Sequence, residues 1–238
     1  MAQAPGEISR EKLARFAGAL YLLQMALGIF GESVVRGSLI VSGDATRTAA
    51  NILASEGLFR AGIATDIATY LAVLALVWAL YVLLRPVNRG LALLALLFRS
   101  IELAVQLGAT VFSLVALRYL TDVNGPSSFG RAELDGLARF AIGAQGSGLK
   151  LGFVLTGLGS AVFAYVFLQS RYVPKLLAGW GIFASLLLAA YAIVDIVYPP
   201  LVAAWFLWMI PMFFYEVGLG LWLLLKGADF GAGRASAA

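Results

Sequence analysis

Six stretches of the chain, at about 14–33, 60–84, 90–118, 148–170, 176–198 and 201–225, are each apolar over enough residues to cross a lipid bilayer. A hydrocarbon core about 30 Å thick takes roughly 20 such residues as helix, and backbone polar groups there must be satisfied within the segment itself. The breaks between stretches agree with this division. Arg85-Pro86-Val87-Asn88-Arg89, Pro174-Lys175 and Pro199-Pro200 lie at the joints, where proline cannot continue a helix. The expected fold is all-α: a polytopic membrane bundle of six transmembrane helices forming a single integral membrane domain over 1–238. A polar N-terminal segment at 1–12 precedes it and a flexible tail at 227–238 follows. No small-x-small cleavage site follows the apolar run after Arg15, so the first span is expected to be retained.

Basic residues beside the spans set the orientation, because cytoplasmic loops keep Lys and Arg. With the N-terminus inside, the cytoplasmic side collects Arg10, Lys12, Arg15, Arg85, Arg89, Arg171, Lys175, Lys226 and Arg234. The outer side then holds Arg36, Arg47, Arg118, Arg131 and Arg139, diluted by Glu32, Asp44, Glu56, Asp122, Glu133 and Asp135. The expectation is N-in and C-in, in the cytoplasmic (inner) membrane of a bacterium. Two outer loops, 34–59 and 119–147, are long and carry helical patterns at 45–56 and 131–146. Each is expected either to lie along the interface, covering bundle ends, or to extend the adjoining span.

Composition narrows the chemistry. The chain contains no Cys and no His, which removes thiolate and imidazole metal sites, histidine haem ligation, cysteine nucleophiles, histidine bases and disulfides. No metal and no cofactor is expected. The net charge of +4 is spread along the loops and forms no dense basic patch with interleaved aromatics, so no nucleic-acid partner is expected.

Charged groups inside hydrocarbon are costly unless paired or wetted, so each one within a span marks a candidate site. The third span carries Arg99, Glu102, Gln106, Thr110 and Ser113, whose spacing of three or four places them on one helix face. Arg99 and Glu102 can pair along that helix. Counting depth at about 1.5 Å per residue puts Gln24 and Glu216 level with Arg99, Glu102 and Gln106. Glu32, Arg60, Asp66, Lys150 and Asp195 fall in the outer half, with Asp195 close enough to Pro199 to be solvated and Lys150 placed to snorkel. The expected arrangement is a polar cavity open to the outside, floored by Arg99, Glu102 and Glu216. Candidate ligand-binding residues are Arg99, Glu102, Gln106, Glu216, Gln24, Arg60 and Asp66. The alternative is polar glue that fixes helix register.

Other features have plainer readings. Gly148, Gly152, Thr156, Ser160 and Ala164 recur every four residues, a close-packing stripe for a helix contact within the bundle. Pro211 should bend the sixth span near Tyr215 and Glu216. Trp180, Trp205, Trp208 and Trp222 read as packing or interface anchors. Asp135-Gly136-Leu137-Ala138-Arg139 lacks the spacing and downstream aspartates of a CDP-alcohol phosphotransferase, and the paired glycines follow no strand, so nucleotide-binding loops have no context.

Three segments, taken together, resemble one family: Thr48-Ala-Ala-Asn-Ile-Leu-Ala-Ser-Glu-Gly-Leu-Phe-Arg60 leading to Asp66; Leu80-Tyr-Val-Leu-Leu-Arg-Pro-Val-Asn-Arg89 with Phe98-Arg99; and Glu216-Val-Gly-Leu-Gly-Leu-Trp-Leu-Leu-Leu-Lys226. They are similar, in order and over nearly the whole chain, to the bacterial membrane-protein family catalogued as domain of unknown function 4386. The resemblance implies a six-helix inner-membrane protein and carries over no catalytic residue.

Three function classes follow. The first is a membrane protein that binds, or also transports, a small molecule or lipid with an anionic or zwitterionic group, although no internal repeat of the kind common in transporters is visible. The second is an enzyme acting on a lipid through paired carboxylates, Glu102 with Glu216 or Asp66 with Asp195. The third is a scaffold or subunit that packs against a membrane-protein partner or a second copy of itself. Membrane lipids are partners in every case.

Overall fold

The computed structural model describes residues 9–121, 129–199 and 205–230. The polar residues 1–8, Asp122, Pro200, Arg234, the tail residues 231–238 and the side chain of Trp205 lie outside the described residues. Among the described residues there are seven helices: α1 Arg10–Leu39, α2 Ala45–Ala54, α3 Glu56–Leu84, α4 Arg89–Thr121, α5 Arg131–Ser170, α6 Lys175–Val197 and α7 Trp205–Leu225. All except α2 are long and apolar enough to span a membrane.

The joints are made by local chemistry that the sequence carries. Asn88 Oδ1 accepts the Leu91 N–H at 3.0 Å and starts α4, and Pro174 stands at the start of α6. Asp44 accepts the Arg47 N–H at 2.8 Å and starts α2. The bend into it uses Gly43 in the left-handed region, at φ 79°, where a side chain would be strained. Ser55, at φ −132° and ψ 44°, breaks α2 from α3. Glu133 accepts the Gly130 N–H at 2.7 Å at the head of α5, while Arg131 reaches the Leu120 carbonyl at 3.3 Å and closes the end of α4.

Several helices outrun the apolar stretches that announce them. α1 continues to Leu39, well past residue 33, and α5 absorbs all of 131–146, so that segment takes the extending alternative. At about 1.5 Å per residue the 40 residues of α5 reach about 60 Å, twice the hydrocarbon core. Residues 45–54 instead form a helix of their own, α2.

The chain divides into two compact units. One comprises Met1–Met25, Ala72–Glu102 and Phe153–Ala238. Its interior includes Leu76, Leu80, Leu83, Phe163, Phe167, Tyr215, Leu219 and Leu223, all almost fully buried. In it α1 and α7 touch backbone to backbone: a Cβ on Gly18 would collide with Gly220 O and Leu224 N. The first residues after α7 are tied down, since Asp229 N–H donates to Tyr172 O at 3.0 Å and the Phe230 ring meets Tyr172 edge-on at 5.0 Å. The indole of Trp180 donates to Pro211 O at 3.0 Å, a polar role beyond packing.

The other unit comprises Ala26–Leu71 and Leu103–Gly152. Its core joins Val35 and Leu39 of α1, Ala49 and Ile52 of α2, Phe59 and Ile63 of α3, Leu117 and Leu120 of α4, and Ala138 and Ile142 of α5. This core explains the overrun. Beyond the apolar stretches the helices continue because each turn still has a buried partner, and packing of an amphipathic face supplies most of a helix's stability.

Candidate functional site

The polar stripe of α4 is real and buried: Arg99, Glu102, Gln106, Thr110 and Ser113 are all shielded from solvent. Arg99 and Glu102 belong to the first unit; the other three belong to the second.

In the first unit the structure brings together four of the sequence-predicted residues. Gln24 Nε2 donates to Glu216 Oε2 at 2.9 Å, joining α1 to α7. Arg99 Nη1 stands 2.9 Å from Glu102 Oε2 on α4, and Thr156 of α5 shares a side-chain hydrogen bond with Glu102. Arg99 lies within Coulombic reach of Glu216 as well, and Glu216 within reach of Glu102. One guanidinium therefore faces two carboxylates, bordered by the buried rings of Tyr21 and Tyr215. The Arg99–Glu102 approach is close but misaligned. It satisfies the distance of an ion pair, yet neither Arg99 Nη1 nor Glu102 Oε2, both fully enclosed, makes an aligned hydrogen bond. A buried ion pair without hydrogen-bond alignment is uncommon and calls for a physical explanation.

Glycines make room for this cluster. A Cβ on Gly159 would fall 2.9 Å from Arg99 Cγ, and one on Gly181 would overlap the Tyr215 ring. The α5 stripe of small residues lies against α4, with Gly148 meeting Ala109 and Gly152 meeting the Gln106 amide.

Arg60 and Asp66 join a different set of partners. Arg60 pairs with Glu56 at 2.7 Å, both side chains exposed. Asp66 pairs with Arg36 through both carboxylate oxygens, and Arg36 also meets Glu32 at 2.9 Å. Tyr70 and Thr110 share a side-chain hydrogen bond close to Asp66. Gly31 lies beside the Asp66 carboxylate, where a Cβ would stand at ordinary contact, 3.4 Å from Oδ1. Phe30–Arg36 forms a π-helical stretch of α1, with Gly37 N–H donating to Glu32 O, and such turns occur often at functional positions.

Arg36 was legible only as a charge outside the first span. Its signal was Glu32-Ser-Val-Val-Arg36, an acid and a base four apart, which share a face once the helix runs one turn further. Lys150 is exposed, and Asp195 is half-buried beside Tyr191. Among the described residues no group of three or more acids, histidines or cysteines is placed to hold a metal ion.

Residues 16–227 match the model of a family described as "Domain of unknown function (DUF4386)". No curated protein and no solved structure matches the chain.

Proposed function

We propose, for a chain that belongs to the DUF4386 family of multi-pass membrane proteins, that the Gln24, Arg99, Glu102 and Glu216 cluster binds the anionic or zwitterionic group of a small molecule or lipid. The observation that carries this reading is one buried guanidinium set among two carboxylates, its contact with Glu102 close at 2.9 Å but unaligned for a hydrogen bond at either atom. A guanidinium presents its donors in a fixed planar fork suited to a carboxylate or phosphate. Here Thr156 also bonds Glu102 and Gln24 bonds Glu216, so an incoming anion would share the Arg99 fork with carboxylates that already have second partners. The distribution of Lys and Arg supports an N-in, C-in arrangement in a bacterial inner membrane. Transport would be an extension of the same binding event, requiring the cluster to open to each side in turn.

One observation favours a second reading. Gly159 and Gly181 let Arg99 and Tyr215 pack where any side chain would collide with them, which suits a scaffold whose polar residues fix helix register.

Thermal stability in detergent, with a panel of lipids and small anions, separates the two. It is read on the wild type and on Arg99→Gln, Glu102→Gln, Glu216→Gln and Gln24→Leu. Binding predicts a ligand that raises the wild-type Tm, since a ligand at about 100 times its Kd adds about 2.7 kcal/mol. The folded variants should lose that increment. If no ligand acts while every variant is destabilised, the cluster is structural.

A further inference from the structure

The second unit contains a site that the cluster above does not use. A groove of about 760 Å³ runs between α4 and α5, lined by Phe112, Arg139, Phe140, Gly143, Ala144 and Ser147. It is a shallow depression open along its length, a shape that suits a molecule lying against the helices rather than one enclosed by them.

Its chemistry is divided. Phe140 is 74% exposed and Phe112 42%, an apolar pair that nothing in the chain covers among the described residues. Arg139, half-buried between them in sequence and space, makes no ion pair or hydrogen bond with any described residue. Its neighbours differ in this respect: Arg131 pairs with Asp135, Arg60 with Glu56, and Arg36 with Asp66 and Glu32. Gly143 leaves open space, with no heavy atom within 4 Å of where its Cβ would stand. Ser147 gives its hydroxyl proton to Gly143 O at 3.1 Å, so its oxygen remains an acceptor.

Position along the helices orders these groups. Counting about 1.5 Å per residue from Ser170, Ser147 stands about 35 Å along α5 and Arg139 about 47 Å; from Arg89, Phe112 stands about 35 Å along α4. For a hydrocarbon core about 30 Å thick and helices with ordinary tilt, Phe112 and Ser147 fall at the edge of the acyl region and Arg139 at the headgroups.

We propose that this groove holds one anionic glycerophospholipid, with its phosphate on the Arg139 guanidinium, its glycerol and ester region over Phe140, Gly143 and Ala144, and an acyl chain entering the hydrocarbon past Phe112. Charge complementarity selects the occupant, because a partnerless guanidinium at headgroup depth attracts phosphate. The apolar wall continuous with it selects a lipid over a free anion.

Native mass spectrometry of the full chain in detergent, titrated with phosphatidylglycerol, phosphatidylcholine or inorganic phosphate, tests the site. Wild type should retain one phosphatidylglycerol in preference to phosphatidylcholine and should not retain phosphate. Arg139→Gln should weaken retention roughly tenfold, the size of one lost charge-assisted hydrogen bond. Gly143→Leu should weaken it comparably by filling the groove; its Cβ enters open space and leucine favours the helix over glycine, and a melting curve like that of the wild type confirms the fold. Arg47→Gln, an exposed arginine on α2, should leave retention unchanged. The proposal is overturned if Gly143→Leu retains the lipid as wild type does, if Arg47→Gln weakens retention as much as Arg139→Gln, or if inorganic phosphate is held as well as the lipid.

Discussion

Arg36 is held by two carboxylates in different surroundings, and that difference has a measurable cost. Asp66 comes from α3 with its side chain 10% exposed and offers both oxygens, whereas Glu32 sits one turn back on α1 with its side chain 46% exposed and offers one. The guanidinium itself is 14% exposed. Asp66→Asn keeps the shape and removes the charge, leaving Arg36 with a single half-solvated partner. Breaking a buried pair from one side costs about 3–5 kcal/mol, and the remaining Glu32 returns part of it, so a loss of about 2–3 kcal/mol is expected. Glu32→Gln removes the more exposed, single-oxygen contact and leaves Asp66 in place, so it should cost no more than about 1 kcal/mol. At roughly 2–4 °C per kcal/mol for a chain of this size, thermal unfolding in non-ionic detergent should show Asp66→Asn melting about 4–12 °C below wild type. Glu32→Gln should lie within about 4 °C of it. Arg36→Met combined with Asp66→Leu removes both charges and should recover most of the Asp66→Asn loss, because no uncompensated ion is left buried. The reasoning is refuted if Glu32→Gln costs as much as Asp66→Asn, or if the double apolar variant is less stable than Asp66→Asn alone.

Three further outcomes follow from the packing. Gly181→Ala drives a methyl into the Tyr215 ring and should cost about 1–3 kcal/mol, while Gly179→Ala, two residues away and facing open space, should be neutral or stabilising by up to about 1 kcal/mol; paired melting curves read the difference in sign. Trp180→Phe keeps the ring and removes the indole bond to Pro211 O, so a loss of about 1 kcal/mol should appear in the same assay. Thr156→Val removes the hydroxyl beside Glu102 and should cost about 1–3 kcal/mol as a buried acceptor loses its partner, with Thr156→Ser restoring most of it.

How much of this could be read in advance depended on which environment was doing the selecting. Within hydrocarbon, the solvent demands uninterrupted apolar helix, so the six spans were legible as plain runs. Past the hydrocarbon edge that demand ends. Whether α1 stops at 33 or goes on to Leu39 depends on Val35 and Leu39 finding Ile52, Phe59 and Leu117, contacts between residues far apart in sequence. Residues 131–146 have the mixed pattern of an interfacial helix and of a helix buried on one side alike, and only the partners for Ala138 and Ile142 decide between them. Among the polar residues, Arg99 with Glu102 was legible because both lie on one helix. Depth counting brought Gln24 level with Glu216 but had no means of pairing them, since depth fixes height in the membrane and leaves rotation and neighbours open. For the same reason Asp66 was grouped with Arg60, whereas its partner is Arg36, a residue the sequence had assigned to a loop.

The polar face of α4 and the small-residue face of α5 are complementary. Each long polar side chain on α4 needs lateral room that a helix packed at 8–10 Å between axes, about the usual distance, does not provide against bulky neighbours. Gly152 gives that room to Gln106 and Gly159 to the stem of Arg99, while Thr156 stands at the one position where a hydroxyl is useful, against Glu102. A stripe that looks like a generic close-packing signal is therefore set residue by residue by the polar groups opposite it. The consequence for function lies in how the room is used. The glycines bring helix backbone close to the arginine stem and the Gln106 side chain, which narrows the positions open to their hydrogen-bonding ends. On the reading proposed above, a guanidinium fixed in this way would meet an anion with little further ordering to do. The same rigidity would also serve a scaffold, and for that reason ligand-induced stabilisation, rather than the stability of the cluster alone, is the property that distinguishes the two.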